Sequence, residues 1–89
     1  MTMIEQAAID FIQAERQASS LKAEYRDALE AFFRQHGRPE GTLHADDERF
    51  QPAMNATNAQ YLAFQKAKRG KYNAHRRLRT AVARAGGAQ

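Results

Sequence analysis

Residues 4–36 read IEQAAIDFIQAERQASSLKAEYRDALEAFFRQH, a run with neither glycine nor proline. Ala, Leu, Glu, Gln, Lys and Arg dominate it, and these residues lose least on entering a helix. Taken in alternating steps of three and four, Ile4, Ala7, Phe11, Ala14, Ala18, Leu21, Tyr25, Ala28 and Phe32 are apolar or aromatic at every step. That period is the seam of a helix packing lengthwise against another. Thr2 stands three residues before Glu5, the spacing of a capping box, so the helix is expected to start there. Arg34 and His36 complement the negative end of the helix dipole, and Gly37 followed by Pro39 ends it. The first helix is predicted over about 3–36.

Outward from this arm, residues 37–46 carry Gly37, Pro39, Gly41 and Thr42, which is turn chemistry. A short helical turn is expected at 47–51, capped by Asp46 or Asp47, and a second long helix over about 52–85. Pro52 suits the first turn of that helix, with Gln51 as N-cap. Only Gly70 interrupts the run from Ala53 to Ala85, and Gly86-Gly87 closes it. Each arm is roughly 50 Å long at 1.5 Å per residue. The second seam is made of small residues: Ala53, Ala56, Gln60, Ala63, Ala67, Gly70, Ala74, Leu78, Ala81 and Ala85 share a narrow sector. An aromatic stripe set into an alanine groove predicts an all-α fold, an antiparallel helical hairpin in a single domain over 1–89. Two helices bury little, so a dimeric four-helix bundle or an obligate partner is expected, with Ile9, Ile12, Leu29, Phe33 and Leu62 as candidate contacts. The alternative is a break at Ser19-Ser20 that folds the chain into a three-helix bundle.

Charge divides the chain more sharply than hydropathy does. Residues 1–48 hold ten acids against five Lys or Arg, and residues 49–89 hold nine Lys or Arg and no acid, so the halves stand at −5 and +9 around the overall +4. The acidic arm can neutralise the basic arm within the fold, and the surplus can serve an acidic partner. Eighty-nine residues are too few for a doubly wound sheet or a barrel enzyme. With no cysteine, thiol nucleophiles, disulfides and thiolate metal sites are excluded. No apolar run approaches the roughly 20 residues of a membrane span, and the N-terminus lacks the pattern of a secretion signal, so a cytoplasmic location and no membrane partner are expected.

Catalysis lacks its usual handles. No phosphate-cradling glycine loop, GxSxG, HExxH or EF-hand pattern occurs. His36, His44 and His75 have no helical-spacing partner among themselves, and zinc needs three or four suitable ligands. Asp46-Asp47-Glu48 could be half a carboxylate metal site, but a helix start stabilises the same residues through its dipole. Ser19 and Ser20 have no positioned base implied by sequence. No catalytic residue, metal or cofactor is therefore expected.

What remains is the basic second helix. Lys66, Arg69, Asn73, Arg76, Arg77, Thr80 and Arg84 recur at helical spacing away from the alanine seam, a face along which a phosphate backbone or an acidic surface could run. Tyr61, Phe64, Lys68, Tyr72, His75, Arg79 and Val82 form a second stripe mixing rings with cations. Tyr61, Phe64 and Val82 border the seam and read as core. The plain reading of the cation face is a solvated helix surface; nine cations without one acid exceed what solubility requires. The candidate binding set is Lys66, Arg69, Tyr72, Asn73, Arg76, Arg77 and Arg84.

In outline, two long helices joined by a short turn resemble the Rop-type RNA-binding helical hairpins. The alanine-rich texture of Ala23–Phe32 and Lys66–Leu78 is also similar to short phage-encoded accessory proteins, among them helical anti-CRISPR and other anti-defence inhibitors. That second resemblance implies a stoichiometric inhibitor acting in the host cytoplasm, which blocks a nucleic-acid-handling complex by occupying its surface. Such inhibitors share no motif, so the resemblance assigns no residue. Three functions are thus expected in order: an inhibitor docking its basic helix on an acidic protein surface or nucleoprotein complex, a direct RNA- or DNA-binding hairpin, and a structural coiled-coil adaptor. The adaptor alone would ignore the arginines and depend on seam residues such as Phe11, Leu21 and Leu78.

Overall fold

The computed structural model describes residues 1–87, and it is helical throughout apart from the connection between the arms. Helix α1 spans Met3–His36, α2 spans Gln51–Ala56 and α3 spans Asn58–Gly87; a 3-10 turn at Glu48–Phe50 leads into α2. The hydroxyl of Thr2 accepts the Glu5 N–H at 3.1 Å, the cap expected from their spacing. At the other end Gly37, at φ +83°, donates its N–H to the Phe33 carbonyl at 2.7 Å. That left-handed backbone suits glycine. Between these caps α1 runs unbroken through Ser19 and Ser20, so the three-helix alternative is not adopted. Two serines cost a helix only a few tenths of a kcal/mol each, and the seam residues Ala18 and Leu21 beside them are held against α3.

The second arm is not one helix. Thr57 interrupts it at φ −108°, ψ 12°. This buried residue donates both its hydroxyl (2.8 Å) and its N–H (3.1 Å) to the Ala53 carbonyl. A threonine hydroxyl bonding back four residues is a recognised cause of helix bending. Pro52 lies in the first turn of α2, while Gln51 is already helical and Phe50 precedes it, one residue from the expected cap. The Gly86-Gly87 stop falls at the last described residues, where α3 still runs through Gly87.

The two arms pack antiparallel. All nine apolar seam positions of α1, Ile4 to Phe32, are buried or half-buried. On α3 the seam differs from the expected one. Gly70 and Ala85, with Ala56 of α2, are exposed, while Gln60, Phe64, Ala67, Lys71, Ala74, Leu78 and Ala81, with Thr57 before them, are buried or half-buried. Both rows step by three and four, so the difference is one of rotational phase: Tyr25 takes the Phe64 ring into the contact, and Lys71, one heptad on, follows it in place of Gly70. Lys71 can occupy such a position because its aliphatic stem packs while its ammonium reaches the rim.

Rings fix the level of the arms. Phe11 lies 5.2 Å from His75, and Tyr25 lies 5.5 Å from Tyr61 and 6.4 Å from Phe64. At the tip Phe50, with no exposed surface, meets Phe33 edge-on at 6.1 Å, and Arg38 covers the Phe33 ring at 5.3 Å. Among the described residues the other buried side chains are Thr57 and four alanines, Ala18, Ala53, Ala74 and Ala81. The result is a rod of 59 × 22 × 17 Å.

Candidate functional site

Every residue of the sequence-derived binding set is exposed: Lys66, Arg69, Tyr72, Asn73, Arg76, Arg77 and Arg84. They are positioned by what lies behind them. Ala67, Ala74, Leu78 and Ala81 bury the opposite side of α3 against α1, which aims Arg69, Asn73, Arg76 and Thr80 outward. Asn73, Arg76, Arg77 and Thr80 enclose one shallow depression on this face. Its lining offers two guanidinium forks, an amide and a hydroxyl, all able to donate to an anion's oxygens.

Arg77 and Arg84 turn toward the side of the hairpin. There they line a groove of about 450 Å³ with Met3, Gln6 and Asp10 of α1. Asp10 accepts from the Gln6 amide at 2.8 Å and forms no ion pair with either arginine. Tyr72 is 63% exposed, at the edge of the cation face, with no ring partner among the described residues. The second stripe is mostly consumed by packing: Tyr61 and Phe64 contact Tyr25, His75 contacts Phe11, and Lys68 lies 5.9 Å over Phe64. Val82, read from sequence as core, is 52% exposed instead, because the heptad row passes through Leu78 and Ala81 beside it.

The opposite charges of the two arms do not compensate each other through contacts. Among the described residues the ion pairs are Arg49–Asp47 at 2.7 Å and Lys71–Glu15 at 4.0 Å. Only the second joins the arms, and every other cation of α3 is without an acidic partner within that distance. The acids of α1 largely lie on its own solvent side, so the basic face of α3 remains uncompensated.

Asp47 is a cap. Its carboxylate accepts the Arg49 N–H at 3.0 Å and both the Nε (3.1 Å) and Nη2 (2.7 Å) of the same guanidinium. These bonds to the ionised form lower its pKa to about 2. No cluster of three or more potential metal ligands occurs among the described residues. His36 and His75 have their rings against Phe32 and Phe11, and the His44 carbonyl accepts from Asp47.

One feature had no reading in the sequence. Tyr25, Leu43, Met54, Asn55, Asn58 and Tyr61 line an uncharged groove of about 420 Å³ near the tip, closed by the loop before α2. Burial raises the pKa of the Tyr25 phenol there, and the neighbouring Tyr61 adds to the shift. Gln51, Met54, Asn55, Asn58 and Tyr61 share one face at helical spacing, and what the sequence does not signal is that Leu43 and Ala45 of the connection come to lie beside that face. No protein-family model, curated protein or solved structure matches this chain.

Proposed function

We propose that this chain is a non-enzymatic binding protein that lays the basic outer face of α3 on an anionic surface of a nucleic-acid-handling complex and blocks that complex by occupancy. The observation that carries this reading is the row of cations on α3: Arg69, Arg76, Arg77 and Arg84 stand exposed on a rigid helix, none of them paired with an acid within 4.0 Å. Held so, they steer an acidic partner into encounter from a helix that is already formed. A second reading, direct binding of RNA or DNA, is favoured by the depression among Asn73, Arg76, Arg77 and Thr80, whose donors suit a phosphate group.

The test is affinity capture from bacterial lysate with the wild-type chain and with R69E/R76E/R77E, each with and without nuclease. A discrete complex held by the wild type after nuclease treatment, released by the triple variant, and inhibited in its own assay by added chain supports the blocking role. Capture abolished by nuclease selects direct nucleic-acid binding. That outcome must then show affinity falling by roughly 0.9 log units per log unit of salt for each duplex phosphate neutralised. Capture unchanged by the triple variant removes both readings and leaves the adaptor role, in which the seam residues matter and the arginines do not.

A further inference from the structure

We infer that the flank of the hairpin bearing Ile12 and Val82 is the contact face for a second copy of this chain, with α1 of each protomer lying on α3 of its partner. The single hairpin leaves more surface uncovered than its mass warrants: 6834 Å², against about 5,300 Å² expected for a compact chain of 10.1 kDa. Its radius of gyration is 18.2 Å, where about 12 Å is usual for this length. The middle of the rod buries only alanines completely.

Its two flanks are unlike. One is the polar groove of Gln6, Asp10, Arg77 and Arg84. On the other, Glu15, Ser19 and Lys22 share a groove with Phe64, Lys68 and Lys71. Ile12 lies one heptad before Ser19, and Val82 lies two heptads beyond Lys68, so both continue these rows toward the open end. They are 46% and 52% exposed. The molecule as a whole extends 59 × 22 × 17 Å, long enough for a lengthwise contact of the ~800 Å² per partner that a stable interface needs.

Charge selects both the occupant and its orientation. This flank carries Glu15 and Lys22, with Glu5 one heptad before Ile12, on α1, and Lys68 and Lys71 on α3. Phe11 stands level with His75 and Glu15 level with Lys71. A two-fold axis parallel to the helices sets each α1 over the partner's α3 at the same level, Glu15 against the Lys71 level. An axis across the helices would set α3 on α3, cations against cations, at a cost that grows as water is excluded. The first arrangement also leaves Arg69 and Arg76 exposed on each copy, so the dimer presents two basic faces.

Solution mass by sedimentation equilibrium tests the contact. The wild type is expected at twice 10.1 kDa in the micromolar range. I12E and V82E should each weaken dimerisation at least about tenfold. L62E, an equal change at a residue 57% exposed on the outer face, should leave it within about twofold. A monomeric wild type, or L62E as damaging as I12E, overturns the contact. The orientation is tested without a bulky change, in a chain that has no cysteine of its own. I12C and H75C chains, mixed and oxidised, should yield a covalent heterodimer, and neither variant alone should do so efficiently. That result holds even where I12E loses helicity together with mass. Absence of the mixed disulfide, or efficient coupling of I12C to itself, overturns the pairing of α1 with the partner's α3.

Discussion

Asp47 ties the connection to α2 through one side chain that both caps the 3-10 turn and forks onto Arg49. Its pKa in the folded chain, about 2, lies below the ordinary 3.8. A depressed carboxylate stabilises the fold above its unfolded pKa, and that contribution is lost as pH falls through the folded value. The gap in thermal midpoint between wild type and D47N should therefore be constant at neutral pH and close between pH 3.8 and about 2. A gap that persists to the bottom of that range would mean that the amide fails for a geometric reason and not for lack of charge. Tyr25 carries the opposite sign. Its phenol is raised above 10.0 by burial and by Tyr61, so the native chain holds the proton longer than the unfolded one. The wild type should then lose stability relative to Y25F as pH climbs above 10.0, measured by alkaline melting.

Among the elements, α3 separates what periodicity can and cannot reveal. That a long helix lies there with one apolar row was legible, as was the whole α1 seam, because apolar spacing and the caps at Thr2 and Gly37 are local signals. The rotational phase of the α3 row was not. It is set by which side chains the partner helix takes up, here Phe64 against Tyr25, and rows through Ala63 and Gly70 or through Phe64 and Lys71 keep the same period. Gly70 makes the difference measurable. Were it in the seam, a methyl group would wedge the helices apart. In the structure it faces open space, with nothing within 4 Å of a Cβ placed there and an ordinary helical φ. G70A is therefore expected to stabilise the chain by roughly 0.5–1 kcal/mol, seen as a thermal midpoint raised by about 4–8 °C per kcal/mol. At Ala74, fully buried against α1, the same logic reverses: A74L should destabilise by about 1–3 kcal/mol, read from urea melts.

For the molecule as a whole, the cation face was legible as a periodic row, but whether α1 neutralised it was not, since that depends on which way each arm turns its charges. The two possibilities predict opposite responses to salt. The −5 of residues 1–48 is concentrated in the connection, and α1 itself stands at −2 against +8 on α3; arms that held each other by ion pairing would still be weakened as salt screened them. The structure has one such pair, Lys71–Glu15, at 4.0 Å and partly exposed, the kind of contact worth little in water. Repulsion along α3 is the larger remaining term: Arg69, Arg76 and Arg84 recur about every 10 Å along the helix, comparable to the Debye length of about 10 Å at 0.1 M salt. The wild-type thermal midpoint should therefore rise as salt is increased from millimolar to physiological concentration. R69E/R76E/R77E, which moves the formal charge from +4 to −2, should keep its helicity by circular dichroism and show little of that rise. A wild-type midpoint that falls with salt would place the arms' mutual attraction above the repulsion within α3, and the surplus charge offered to a partner would then be smaller than the exposed row implies.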